Sequence, residues 1–319
     1  MEVVLLKKKD VIDLGIFNYI ERIDDGEKAY IAQSLELTKS SKVSLELDRA
    51  LKWRFNSIVC IGEKYVLNKW LGSNLENLKK DLPRSTSLVF LNDKKTGLPL
   101  CIMDGTLISA VRTGVSAVIA VKYLARKEDK VAAVIGTGPI GEECVKALSV
   151  LGLEQINITS LDPKLKEIAE ELDKIVSCKV VAKDSIEAAC KDVPIIVSAT
   201  TAPRPIIKKE WLMKGFTKIS LGGREDEDEV LLCADKIIND NWHHVKKRNS
   251  QTVALMFHEG KLKDENIYPD IGHIVSGNVK GRERDDENIY FNAVGLGELD
   301  LFVASKIFEK SSKDQKFVF

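Results

Sequence analysis

The chain has 319 residues, comfortable for two domains, with 44% hydrophobic and 30% charged residues, the composition of a globular protein. Its 48 basic residues are balanced by 48 acidic ones, so no cationic excess exists to neutralise phosphates, and nucleic acid is excluded as an obligate partner. No apolar run reads as long enough to span a bilayer, and Lys7-Lys8-Lys9 follow the first apolar stretch, the reverse of a secretory leader. No membrane partner is therefore expected. The six cysteines show no C-x-x-C pair and no zinc spacing, and the four histidines form no H-x-x-x-H pattern. They predict thiols in the core of a protein from a reducing compartment, the cytoplasm, and no metal site.

Before about Lys130, helix-like and strand-like segments mix, with turn signals at Asn92-Asp93 and Lys95-Thr96-Gly97. Leu88 to Leu91 and Leu100 to Met103 read as apolar strands, and Leu107 to Arg126 reads as one helix. That helix leads into Val131-Ala132-Ala133-Val134-Ile135, a strand ending in Gly136-Thr137-Gly138-Pro139-Ile140-Gly141, and a helix from Glu142 to Leu148 follows. Strand, G-x-G-x-x-G and helix in that order form a dinucleotide-binding corner. Gly136 permits the tight turn, Gly138 lets the backbone approach a pyrophosphate, and Gly141 lets the helix pack close to the sheet. The helix N-terminus then points unpaired N–H groups at the phosphates.

Gln155 to Leu161 is the next strand, ending at Asp162, 26 residues past Gly136. A carboxylate near this place accepts hydrogen bonds from the adenosine ribose and repels a 2′-phosphate, favouring NAD over NADP, although Lys164 and Lys166 soften that exclusion. The same aspartate is placed to start the following helix, because Pro163 suits a first helical position. From there the pattern is regular: a helix from Lys164 to Lys174, a strand at Lys179–Ala182, a helix at Ser185–Cys190, then strands at Pro194–Thr200, Phe216–Leu221 and Asp235–Asn239. Such alternation predicts an α/β fold with a doubly wound parallel sheet, ligands lying beyond the strands' carboxyl ends. Ser198, Ala199, Thr200, Thr201, Ser220, Leu221 and Gly222 would then line the cofactor crevice. The charge runs Arg224–Glu229 and Lys246–Arg248 read as solvated faces.

Several segments resemble the ornithine cyclodeaminase/μ-crystallin family. They are Asn92-Asp93 to Gly97-Leu98-Pro99, then Met103-Asp104-Gly105-Thr106-Leu107-Ile108-Ser109, Val111-Arg112-Thr113-Gly114-Val115-Ser116-Ala117, the glycine corner, Ile271 to Gly277 with Gly281-Arg282, and Phe291 to Gly297. Within that family, Asn68 to Ser73 and Ala234 to Trp242 look most like dehydrogenases of 2,3-diaminopropionate and siderophore biosynthesis. The resemblance implies a Rossmann-type domain, residues 126–297, inserted in an α+β domain made of residues 1–125 and 298–319 that binds substrate and pairs two copies into a homodimer. The strands Leu88–Leu91 and Leu100–Met103 suit that pairing, or an internal core. It also implies an NAD-dependent oxidoreductase that moves a hydride at the α-carbon of an amino acid, imine or opine-like adduct. Lys69 and Arg112 would hold the substrate carboxylate, and Arg112, Thr113 and Arg84 would contact the cofactor. From the residues alone, Lys69 also reads as a surface lysine beside Trp70, and Arg112 as a partner for Asp104.

One departure stands out. Cyclodeaminases carry a general-base aspartate after a V-G-A-D-like turn, where this chain has Ser220-Leu221-Gly222-Gly223-Arg224. Asp226 is then the candidate acid–base group, with Asp228 as its alternative, and Ala293 stands where some members have serine. Two further readings remain: a cyclodeaminase-type lyase that recycles its NAD, and a binding protein that has kept the nucleotide fold without catalysis.

Overall fold

The computed structural model describes residues 2–48, 50–312 and 316–318. In chain order its strands are β1 (Glu2–Leu6), β2 (Lys39–Asp48), β3 (Trp53–Ile61), β4 (Tyr65–Ser73), β5 (Ser85–Asp93), β6 (Pro99–Asp104), β7 (Val131–Ile135), β8 (Gln155–Thr159), β9 (Lys179–Ala182), β10 (Ile195–Ser198), β11 (Thr217–Ser220), β12 (Lys236–Asn239), β13 (Ile289–Asn292) and β14 (Lys316–Val318). They form two seven-stranded sheets, one in each of two units, Met1–Arg112 with Leu296–Phe319 and Thr113–Gly295. The expected break after residue 125 thus falls instead inside the helix Gly105–Leu124. Gly114 gives the reason: a Cβ there would lie 2.7 Å from the carbonyl oxygen of Glu143, so this half of the helix packs backbone to backbone within the second unit. Residues 1, 49, 313–315 and 319, which the expected limits include, lie outside the described residues.

In the first unit the sheet order is β14-β1-β6-β5-β4-β3-β2, with β1 and β6 parallel and the other pairs antiparallel. Alternation along the strands gives each residue set its own face. Ile58, Cys60, Leu67, Lys69, Val89, Leu91, Cys101 and Met103 point into the interior. The helix Gly297–Lys310 lies over β2 to β5 on this side and packs against the helix Tyr19–Ser34. The opposite face is apolar and bare in a single copy of the chain: Val43, Leu45, Phe55, Val59, Trp70 and Leu88 are all exposed. Leu45 pairs with Phe55 and Trp70 with Leu88, while Phe55 stacks on Trp70 with ring centres 5.7 Å apart.

The second unit holds the order β12-β13-β11-β10-β7-β8-β9, parallel throughout. Its central strands are buried on both sides, as parallel sheets require. Strand β13 was not foreseen; only four residues long, it follows the charged run 282–287 and inserts between β11 and β12. The strands expected at Val131–Ile135, Lys179–Ala182 and Asp235–Asn239 end where expected, whereas those expected at Gln155–Leu161, Pro194–Thr200 and Phe216–Leu221 end one or two residues early, and the surplus residues become loops at the carboxyl edge. Contrary to the sequence reading, Gly105–Leu124 is by length and composition apolar enough to cross a membrane, but 83% of that stretch is buried inside the protein, as in a core helix. Five of the six cysteines are buried, and none is in a disulfide.

Candidate active site

The glycine corner forms at the carboxyl edge of β7. Gly136 adopts φ +101, and a Cβ on it would lie 2.8 Å from the carbonyl oxygen of Ala199. A Cβ on Gly141 would lie 1.9 Å from the carbonyl oxygen of Gly136, so the helix Pro139–Ser149 starts directly against the turn. At Gly138, the helix N-cap, nothing lies within 4 Å of an added Cβ. No side chain caps that helix, so the N–H groups of Ile140 and Gly141 form an open positive terminus, with Pro139, which has no N–H to leave unpaired, at its first position. An uncapped terminus beside an open glycine is the cradle a pyrophosphate needs. Thr137 Oγ1 and Ser160 Oγ, 2.7 Å apart, tie the corner to the end of β8. Asp162 is exposed two residues beyond, and its Oδ1 accepts from the Lys164 N–H at 2.8 Å.

The loops after β10 and β11 lie beside this corner, because Ser198 pairs with both Ile135 and Ser220. A fully buried carboxylate, Glu225, fixes both. Its Oε1 accepts from Thr200 N at 2.7 Å and Thr200 Oγ1 at 2.5 Å, and its Oε2 from Ser198 Oγ at 2.8 Å and Gly222 N at 3.1 Å. Burial pushes the Glu225 carboxyl above its ordinary range, against the opposing charge of Lys218. The reading of Arg224–Glu229 as a solvated face is therefore corrected: Glu225 and Asp226 are both fully enclosed. Asp226 is corrected as well. Its carboxylate pairs with Lys218 Nζ at 3.1 Å and accepts from Tyr290 Oη at 2.9 Å, all three side chains being buried. Such a pair holds β11, β13 and the turn together and leaves no acid–base group open to a substrate. Asp228 pairs with Lys261 and Arg224.

In the first unit three ionisable side chains meet. Lys69 on β4 and Arg112 in the long helix both reach Asp300 of the helix Gly297–Lys310. Lys69 Nζ lies 2.6 Å from Asp300 Oδ2, and Arg112 Nε lies 3.1 Å from Asp300 Oδ1. Both cations also donate to Ser109 Oγ, at 3.2 and 3.3 Å. Lys69 and Asp300 are completely buried and Arg112 is 8% exposed, so neither alternative reading holds. Lys69 is no surface residue, and Asp104 spends its Oδ1 on the N–H of Leu107 at the helix start. Burial pulls the Lys69 ammonium down to about 8; Asp300 opposes the shift and Arg112 adds to it. Burial pushes the Asp300 carboxyl up, but the charges of Arg112 and Lys69 outweigh it and hold it below the usual range. With Lys69 protonated the cluster carries two positive charges and one negative. One unit of positive charge is left unbalanced in a low-dielectric site, an arrangement suited to an anion.

Asp300 was missed by the sequence reading; its one signal is an acid set between two leucines, Leu299 and Leu301, in the first turn of a helix. Arg84, expected at the cofactor phosphates, stands just before β5 with Arg54 near it, and burial followed by the Arg54 charge lowers its pKa. Thr113 opens the second unit. Among the described residues, no three His, Cys, Asp or Glu side chains gather as a metal site would require.

The profile of the ornithine cyclodeaminase/mu-crystallin family matches residues 27–315. N-((2S)-2-amino-2-carboxyethyl)-L-glutamate dehydrogenase of Staphylococcus aureus is 28% identical over 264 residues, 79% of this chain and 77% of its own. The structure of Thermococcus litoralis Δ1-pyrroline-2-carboxylate reductase, in complex with NADH and L-proline, superposes with TM-score 0.92 at 28% identity, covering 99% of this chain and 100% of the other. An archaeal alanine dehydrogenase, a dimer with bound NAD, superposes with TM-score 0.90 at 26% identity and covers both chains fully.

Proposed function

The chain belongs to the ornithine cyclodeaminase/mu-crystallin family, and from that premise we propose that it is an NAD-dependent oxidoreductase acting at the C–N bond of an amino acid or imine. The observation that carries this reading is the buried Lys69–Arg112–Asp300 cluster with its single surplus positive charge. Arg112 offers a planar fork to a substrate carboxylate, and Lys69 is a compact donor whose pKa near 8 suits proton exchange with the substrate nitrogen. NAD would be held by Gly136, Thr137, Gly138, Pro139, Ile140 and Gly141, with Asp162 toward the ribose and the Ser198–Thr201 and Ser220–Gly222 loops along it; when bound, its nicotinamide supplies or accepts the hydride. Arg224 occupies the place where cyclodeaminases carry their aspartate, and its guanidinium lies near Asp228 and Glu259, which favours net oxidation or reduction over cyclisation. The free, mostly buried thiols fit a reducing compartment, the cytoplasm.

A purified sample incubated with NADH, ammonia or amine, and 2-oxo acids is expected to consume NADH stoichiometrically with product. A lyase gives product with no net absorbance change, and a binding protein gives neither. Because Lys69 donates only when protonated, imine reduction is expected to fall as pH rises through about 8, while amine oxidation rises over the same window. A reductive rate that stays flat from pH 6.5 to 9.5 excludes Lys69 as the donor.

We also propose that the apolar face of the first unit's sheet pairs two copies of the chain. A patch that joins Val43, Leu45, Phe55, Trp70 and Leu88 across four strands is larger than soluble monomers ordinarily leave bare. Sedimentation is expected to report twice the 35.5 kDa chain mass, and Trp70→Asp to release monomers. A wild-type protein that sediments as a single chain at micromolar concentration rejects the pairing.

A further inference from the structure

The interior face of β3, β4 and β5 carries a polar grid that extends beyond the Lys69 cluster. Cross-strand register sets it in three rows: Ile58–Lys69–Val89, then Asn56–Leu71–Ser87, then Arg54–Ser73–Ser85 with Arg84 at the edge. Four residues along β4 separate the first row from the third, about 13 Å between Cα atoms at strand rise. Ser73 Oγ donates to the Lys52 carbonyl oxygen at 3.3 Å, but four other polar side chains of the grid each have an atom left without a partner. Asn56 and Ser87 are 3% and 6% exposed, yet Asn56 Oδ1 and Ser87 Oγ are buried without a hydrogen bond. Arg54 Nε and Arg84 Nε are buried in the same condition. The two guanidiniums repel one another, and among the described residues no carboxylate forms an ion pair with either; Glu46, the cross-strand neighbour of Arg54, makes none.

Buried polar atoms in folded proteins are satisfied, and paired cations without an anion are costly. A ligand resolves both. We propose that Arg54 and Arg84 form a second anion subsite, so that the substrate carries a further carboxylate beyond the one held by Lys69 and Arg112. Asn56 and Ser87, in the row between, would meet a polar N–H or O–H in the middle of that molecule. The substrate class is thus an amino dicarboxylate or a secondary amine joining two carboxylate-bearing arms, not a simple monocarboxylic amino acid. This rests on the carboxylate reading of Lys69 and Arg112 given above, but its test does not depend on turnover.

Glutarate, adipate, pimelate and butyrate, none of which can undergo the reaction, are titrated calorimetrically into the full-length protein saturated with NAD. The expected result is at least one dicarboxylate binding tenfold or more tightly than butyrate. Arg54→Gln and Arg84→Gln should each erase most of that advantage, Arg84→Lys should keep a substantial part, and NAD affinity should stay within threefold of wild type in all three. Equal affinity for butyrate and every dicarboxylate in the wild type overturns the proposal, as does an advantage that survives both glutamine variants. Loss of NAD affinity in Arg84→Gln also overturns it, by assigning Arg84 to the cofactor. Failure of the oxidoreductase reading shows itself separately, as the absence of any nicotinamide signal with amine or imine while the dicarboxylate preference stands.

Discussion

Replacing Asp300 with alanine is expected to cost the protein both its activity and a large part of the stability of its first unit. The carboxylate is the sole anion paired with Lys69 and Arg112 among the described residues, and all three groups are buried. Removing one partner of a buried ion pair costs about 3–5 kcal/mol, because the remaining charge stays desolvated. Here two cations would be stranded together, so a loss at the upper end of that range is expected in calorimetric unfolding. The isosteric Asp300→Asn separates structure from chemistry. It keeps the volume but removes the charge that holds the Lys69 pKa up, so that pKa should fall below about 8. At neutral pH Lys69 then loses most of its proton, and imine reduction should drop by roughly tenfold or more, equivalent to at least about 1.4 kcal/mol of transition-state stabilisation. The alkaline limb of the pH profile should move to lower pH. An Asp300→Asn enzyme with wild-type rate and an unmoved profile would refute the role given to this residue.

The linkage has a definite sign. Lys69 has a folded-state pKa of about 8 against an ordinary 10.5, so the unfolded chain binds more protons between those values. This group therefore makes the fold more stable as pH rises from about 8 toward 10.5, and penalises it below. Asp300, held below its ordinary range, acts at the other end: its contribution is present at neutral pH and is lost as acid protonates it.

Gly141→Ala is expected to abolish dinucleotide binding outright. The added Cβ would sit 1.9 Å from the carbonyl oxygen of Gly136 and 2.8 Å from its carbonyl carbon, both backbone atoms with no side chain to swing aside. The helix Pro139–Ser149 would have to withdraw from the turn, taking its N–H groups away from the phosphates. A drop of at least a hundredfold in NADH affinity should appear in a fluorescence titration. Gly138→Ala is the informative contrast: φ is −73 and nothing lies within 4 Å of the new Cβ, so the protein alone tolerates it. Its melting temperature should match wild type, and any weakening of NADH binding then reports how closely the pyrophosphate approaches that backbone. Unchanged affinity in Gly141→Ala would dismantle the assignment of this corner.

What was legible in the chain was local. The glycine corner and the alternation after it are contiguous, and their periodicity is fixed by the helix and strand they form. Asp300 could not be read this way, because its partners lie 231 and 188 residues away. Glu225 misled for a different reason. Its neighbours in sequence are charged, and only the arrival of Ser198, Thr200 and the Gly222 N–H makes its burial tolerable. Asp226 was chosen as a base for being an acid near the right turn, yet Lys218 and Tyr290 claim it. The Arg54–Arg84 pair emerges only once cross-strand register puts residues from three strands on one face.

The enclosed cysteines give the molecule an internal chronometer. Burial pushes the Cys101 and Cys190 thiols up to about 12 and those of Cys60 and Cys144 higher still, so nearly no thiolate exists at neutral pH. An alkylating reagent reaches them only during excursions in which the surrounding backbone comes apart. Cys60 and Cys101 time such breathing in the first unit and Cys144 and Cys190 in the second, so the pace of labelling, read by peptide mass, clocks the two halves independently.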